Sequence, residues 1–335
     1  MPVGPRPRAI VFGCAGTTLS AAEQRFFADA DPYGFILFRR NVDNPEQVTA
    51  LVEALRASVG RAGAAVLIDQ EGGRVARLGP PHWPALPPAR TIGLLAERDP
   101  AAGLAAARAV GRVIGAMLAN LGIDVACAPV TDLLLPETHA VIGDRAFSAD
   151  PVLVGALAEA VAFGLRDAGV TPIIKHIPGH GRATADSHLA LPRISAARDT
   201  LEATDFAAFR AVNDAPWAMV AHCVYEAIDP DRPASISPVA ISVIREKIGF
   251  GGVLIADDIG MKALQGSLAD NAAATLAAGC DLTLHCSGNL LEMQAIIPAV
   301  TTLTEDAVER LAVGSAWMRQ GRLDFDLAAE KALLS

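Results

Sequence analysis

The chain has 335 residues, with 28 Lys and Arg against 37 Asp and Glu and a formal net charge of −9. Hydrophobic residues make up 52% and charged ones 19%, enough apolar material for a large core, which excludes a disordered chain. Phosphate surfaces need clustered Lys and Arg, and no such cluster occurs, which excludes nucleic acid and anionic membrane as main partners. In chain order, the first candidate strand is 9–14, preceded by Arg6 and Arg8. That pairing has the look of an export signal, but its apolar run is shorter than the ~7–15 residues such a signal needs. Further β-rich runs follow at 34–39, 65–69, 123–129, 171–176, 218–224, 252–257 and 281–286. Most are continuously apolar rather than alternating, as expected of strands covered on both faces.

Amphipathic helical patterns separate these runs. Asn44-Pro45 and Asp150-Pro151 each place an N-cap before a proline at the first helical position. Strand and helix alternating through eight runs predict a single (β/α)8 barrel of the TIM type, one domain over 1–335 with no second domain. An open doubly wound sheet competes, but no GxGxxG turn follows the first strand. The Pro-rich stretch 79–88 reads as a rigid surface loop. No apolar run is expected to span a membrane. Cys14, Cys127, Cys223, Cys280 and Cys286 form no CxxC pair and lie in or beside apolar runs, which predicts buried free thiols and a cytoplasmic protein.

In such barrels the chemistry sits where strands end and βα loops begin. The third run leads into Asp69-Gln70-Glu71-Gly72-Gly73-Arg74 and the fifth ends on Lys175-His176. His222, Asp257-Asp258 and His285 close the sixth, seventh and eighth. Polar groups at successive strand ends point to an enzyme. Asp258 also reads as a helix N-cap, which leaves Asp257 as the carboxylate available for chemistry.

The richest segment is 173–192, where Lys175, His176, His180 and His188 fall within 14 positions. Two bland uses compete with catalysis. The lysine and first histidine can satisfy backbone carbonyls, with the other histidines solvated. Alternatively, His176, His180, His188 and Asp186 can ligate a metal, although Lys175 would repel the cation and no HxH or HExxH spacing occurs.

The segment Lys175-His176-Ile177-Pro178-Gly179-His180-Gly181 with Asp186-Ser187-His188 resembles the KH(F/I)PGHG…DSH motif of family 3 glycoside hydrolases, in particular the bacterial cytoplasmic β-N-acetylhexosaminidases. Three more blocks match in the family's order: 68–77 (Ile-Asp-Gln-Glu-Gly-Gly-Arg-Val-Ala-Arg), 141–147 and 256–261. The resemblance implies a lone barrel with Asp257 as nucleophile, His188 as general acid/base and Asp186 as its partner. It implies Asp69, Arg77, Arg145, Lys175 and His176 as the sugar-binding set. Arg182 stands where relatives often have Asp, Ile177 replaces a common Phe, and Ala256 and Gly260 replace common serines. None of these removes a catalytic group, but Arg182 and Gly260 bear on loop closure and pocket shape.

Retaining hydrolysis needs a nucleophile on one face of the anomeric carbon and a proton donor at the leaving oxygen. A histidine can be that donor, since both its protonation states are accessible near neutrality. The expected activity is an exo-acting retaining β-N-acetylglucosaminidase. By family resemblance it releases GlcNAc from GlcNAc-anhydroMurNAc, with or without peptide, in peptidoglycan recycling. A phosphorylase of the same family and a non-catalytic sugar-binding barrel are the alternatives. No cofactor or metal is implied. The expected partner is a small carbohydrate or muropeptide, taken by a monomer. Trp83, Trp217 and Trp317 are too scattered for a stacking platform and read as core or rim.

Overall fold

In the computed structural model, which describes residues 6–185, 187, 190–321 and 323–334, the eight apolar runs become eight parallel strands. They are β1 (Arg8–Gly13), β2 (Pro32–Leu37), β3 (Ala65–Ile68), β4 (Val125–Ala126), β5 (Thr171–Ile177), β6 (Trp217–Val220), β7 (Val253–Asp258) and β8 (Leu282–His285). Each pairs with its neighbours in chain order, and β8 returns to β1 with Ile10 beside Thr283 and Phe12 beside His285. Closure leaves no open edge and buries both strand faces, which is why the runs lack alternation. The expected TIM-type barrel is the fold.

Three strand ends differ from expectation by more than one residue. The second stops at Leu37 because Arg39–Asn41 turn as a short 3-10 helix. In the fourth, the regular ladder ends at Ala126, and Pro129, which has no N–H to donate, cannot resume it. The carbonyls of Ala128 and Pro129 still accept from Ile173 and Lys175 on β5. Past Val220 the chain leaves the barrel, and Val224–Tyr225 pairs instead with Arg193–Ile194 in a separate two-stranded sheet.

Helices cover the outside, starting where their caps predict. In α1 (Ala21–Ala30) Ser20 and Glu23 form a reciprocal capping box. Asn44 caps α2 (Pro45–Ser58), Asp99 caps α3 (Pro100–Ala119) and Asp150 caps α4 (Pro151–Asp167), each before a proline. Contrary to the expectation from sequence, α3 is long and apolar enough to cross a membrane by length and composition. Arg108 and Arg112 hide that length in the sequence. In the fold most of α3 is buried, with much of that surface against α4.

The α3–α4 contact is close because glycines line it. A Cβ on Gly164 would lie 2.2 Å from the Arg108 carbonyl oxygen, and one on Gly111 2.3 Å from that of Val161. At the base of this contact the fully buried Asp167 carboxylate accepts from Arg108 Nε and Nη2 (2.9 and 3.1 Å) and Arg112 Nε (2.8 Å). Arg112 also pairs with Glu330 in the helix Leu327–Ala332, and Leu323 N–H donates to the Asp167 carbonyl. One buried carboxylate thus ties two helices and the C-terminal segment together. Asp167→Ala should lower unfolding stability by about 3 kcal/mol, the usual cost of breaking a buried ion pair. Because Asp167 lies at the barrel end away from the strand C-termini, kcat of the folded variant should match wild type. Urea unfolding with parallel assays checks both.

Candidate active site

Asp69 follows β3 directly, and the chain then forms a hairpin of Gln70–Gly72 against Val75–Ala76. Gly73, at φ +53°, has its Cα side against Pro88, where a Cβ would come within 2.7 Å of the proline ring. The hairpin returns Arg77 to Asp69, Nη2 to Oδ2 at 2.9 Å. Buried Gln70 holds this return: its Oε1 accepts from Arg77 and Leu78 N–H, and its Nε2 donates to the Leu78 carbonyl.

Lys175, 2% exposed near the end of β5, is the centre of the site. Its Nζ lies 2.8 Å from Asp69 Oδ1 and 2.6 Å from Glu71 Oε1. Arg145 then grips Glu71 through two bonds of 2.8 Å. Desolvation pushes the Asp69 carboxyl up, but Lys175 and Arg77 outweigh it and hold Asp69 well below the usual carboxylate range. Burial works against the Lys175 ammonium, yet Asp69 and Glu71 raise its proton affinity above the ordinary value. All five groups remain charged.

The next side chain on β5, His176, is oriented by Asp132. Its Nδ1 is 2.7 Å from Asp132 Oδ2, and Asp132 Oδ1 accepts the N–H groups of His176 (3.1 Å) and His180 (2.6 Å). The His180 ring packs on that of His176 with centroids 5.6 Å apart. Burial, and then the neighbouring His176, push His180 down to about 4, so it stays neutral through ordinary pH.

Asp257 and Asp258 end β7. Desolvation raises the Asp257 carboxyl, but His176, His222, the Asp258 N–H (2.8 Å) and Lys175 overcome it and keep Asp257 ionised. His222 braces the strand end, with Nε2 3.0 Å from the Asp258 carbonyl and Nδ1 2.6 Å from Ser235 Oγ. Asp258 is not the helix cap expected from sequence. The next helix starts at Leu268 under Ser267, and Asp258 instead accepts from Gly260 and Cys286 N–H within a long loop.

These groups meet in one pocket of about 370 Å³ at the C-terminal ends of the strands. Asp69, Arg77, Arg145, Lys175, His176 and Asp257 all line it, as do His180 and Ser187. Of the residues expected from sequence, Asp186 and His188 lie outside the described residues. Ser187, between them, faces the pocket. Glu71 and Asp132 carried no assigned role in the sequence. Glu71 sat inside a quoted motif, and Asp132 is a polar residue just past the fourth strand, the same signal that flags the other strand ends. Arg182 ties its loop to the body through Asp205 (2.6 Å) and Thr204 Oγ1 (2.9 Å). Among the described residues, no group of three or more His, Cys, Asp or Glu side chains is arranged to hold a metal. Four cysteines are buried as expected, while Cys286 is only half-buried and lines the pocket.

An ionised carboxylate facing a grip of alternating cations and anions, at the mouth of a (β/α)8 barrel, defines a polyol-binding hydrolytic site. Residues 14–313 match the glycosyl hydrolase family 3 N-terminal domain. A β-hexosaminidase of Alkalilimnicola ehrlichii is 40% identical over 283 residues, covering 83% of this chain and 80% of the relative. One from Xylella fastidiosa is 40% identical over 289 residues, 84% of each chain. The crystal structure of NagZ from Neisseria gonorrhoeae in complex with N-trifluoroacetyl-D-glucosamine superposes with a TM-score of 0.87 at 32% identity, covering 98% of this chain and 97% of that one. The chain belongs to glycosyl hydrolase family 3 and, within it, to the β-hexosaminidases.

The neutral His180 links stability to pH. Its folded value of about 4 lies below the ordinary 6.5, so between these the unfolded chain binds a proton that the folded one does not. The stability it supports is complete above about pH 6.5 and declines towards pH 4, by up to about 1.4 kcal/mol per unit. His180→Gln should unfold with a flatter pH dependence over that window. Urea titrations at several pH values measure it, and an unchanged slope would count against a neutral buried His180.

Proposed function

We propose that this chain is an exo-acting retaining β-N-acetylglucosaminidase in which Asp257 is the nucleophile, His188 the general acid/base and Asp186 its partner. The observation that carries the reading is Asp257 itself. It stands at the end of a barrel strand, it is held ionised, and its Oδ1 takes the Asp258 N–H. Its other oxygen has no hydrogen-bond partner among the described residues. Across the pocket, Asp69, Arg77, Arg145, Lys175 and His176 offer donors and acceptors suited to hydroxyls of one terminal sugar.

In the first step Asp257 attacks the anomeric carbon. The glycosyl–Asp ester forms as the glycosidic C–O bond breaks, and His188 gives its proton to the departing oxygen. Neutral His188 then takes a proton from water, which attacks the same carbon and frees Asp257. Two inversions give net retention. Asp186 favours the imidazolium in the first step and orients the ring in both.

For the substrate we propose GlcNAc joined to anhydro-N-acetylmuramic acid or its peptides, handled in the cytoplasm. The solved relative holds a glucosamine derivative, which supports the glycon. An anionic aglycone is supported by the rim. Arg40 and Arg77 lie over the Phe38 ring, at 4.9 and 5.3 Å from its centroid. Arg39 donates to the Arg77 carbonyl (3.3 Å), and Arg40 donates through Nε to the Cys14 carbonyl (3.0 Å) and through Nη2 to the Cys286 carbonyl. Neither Arg39 nor Arg40 has a carboxylate partner among the described residues, so both remain available to lactyl or peptide carboxylates.

Asp257→Asn should abolish turnover without unfolding, and a 5-fluoro glycosyl probe should label Asp257 in the wild type. Labelling of Asp258 or Asp69 would show that the nucleophile lies elsewhere. His188→Ala should lose ~10²–10⁴-fold in kcat/KM on a sugar aglycone and far less on an activated aryl glycoside. A leaving-group dependence no steeper than wild type would assign the proton to another residue. Mass spectrometry of products from a muropeptide decides the substrate. N-acetylglucosamine 1-phosphate formed in added phosphate would mark a phosphorylase instead.

A further inference from the structure

We infer that Asp132 is the positioning residue for His176: its carboxylate holds the imidazole with Nδ1–H on Asp132 Oδ2, so that Nε2 is the nitrogen presented to the sugar. The inference rests on the pocket being the sugar site, and Asp132 itself is not among the residues that line it.

The geometry is complete around the carboxylate. Asp132 is fully buried, and a buried carboxylate is tolerated only where its oxygens are hydrogen-bonded. Three donors meet it: His176 Nδ1 at Oδ2, and the His176 and His180 N–H groups at Oδ1. Desolvation raises the Asp132 carboxyl, but the His176 ring and the His180 side outweigh it and hold it below its ordinary range. An ionised carboxylate only accepts, so the nitrogen facing it carries the hydrogen. That leaves Nε2, which makes no hydrogen bond among the described residues. His176 lines the pocket, so Nε2 is the ring nitrogen left for it.

One carboxylate controls two things through these bonds. It sets the rotation and tautomer of His176, much as outer-shell carboxylates set metal-bound histidines. It also pins the chain four residues later, at His180, where the loop that leads to Ser187 leaves the strand. Proton placement on His176 is thus decided outside the pocket, by a residue that never meets substrate.

Asp132→Asn separates these roles. The amide oxygen can still accept both backbone N–H groups, but the amide nitrogen then faces His176 Nδ1. The ring must offer a lone pair there, and its proton moves to Nε2. Long-range ¹H–¹⁵N NMR of the imidazoles, with His176 assigned by its loss in His176→Gln, reads this directly. In the wild type at pH 8.5 Nδ1 should be protonated and Nε2 bare, and in Asp132→Asn the two should exchange. On an aryl β-N-acetylglucosaminide, Asp132→Asn should lower kcat/KM about 10- to 100-fold, the worth of one charged hydrogen bond. The same change in a His176→Gln background should cost less than about 3-fold, because its effect passes through His176. A wild-type ring protonated at Nε2 instead of Nδ1, or costs that simply multiply, would overturn the inference. The NMR measurement on the wild type needs neither substrate nor a folded Asp132 variant, so it stands apart from the question of whether the enzyme cleaves GlcNAc glycosides.

Discussion

A lysine ammonium buried at the end of a barrel strand is the constraint around which this site is arranged. Lys175 is 2% exposed, and a lone charge there would cost several kcal/mol. It is stable because Asp69 and Glu71 flank it, and these are in turn held by Arg77 and Arg145. Three cations against two carboxylates leave one positive charge on the network. That excess reaches across the pocket, where Lys175 is among the groups that keep Asp257 ionised. The electrostatics of the sugar grip and of the proposed nucleophile are therefore a single balance.

The barrel makes this balance possible. Asp69, Lys175 and Asp257 lie far apart in sequence but occupy the ends of β3, β5 and β7, whose preceding residues are buried among Val, Ile and Leu. Backbone ladders fix those ends, so long side chains need little further ordering to meet. Preorganised charges of this kind act in a restricted, low-dielectric pocket, where they are worth more than in water.

Around that rigid floor lies a second tier of groups that hold loops. Gln70 returns Arg77 to the pocket, His222 braces the end of β7, and Asp132 pins the chain at His180. Arg182 belongs to this tier. It binds Asp205 and Thr204, securing the start of the loop that carries Ser187.

Much of this was legible in the sequence. Apolar runs, most of them continuous, marked all eight strands, because strands covered on both faces have no polar side. Asn44-Pro45 and Asp150-Pro151 marked helix starts, because capping is local chemistry. Asp69, Lys175, His176 and Asp257 were visible as polar residues interrupting apolar runs at strand ends, and motif resemblance supplied Arg77 and Arg145, whose loops carry no periodic signal. The ladder limit at Val220, the role of Asp258, the Glu71 bridge and the Asp132–His176 pair were decided only by tertiary structure. Each depends on partners 28 to 104 positions away, such as Cys286 for Asp258 and Lys175 for Glu71, which barrel closure brings within hydrogen-bond distance. A sequence records which groups can ionise and donate; which of them face one another, and so which stay charged, follows from the packing of the strands.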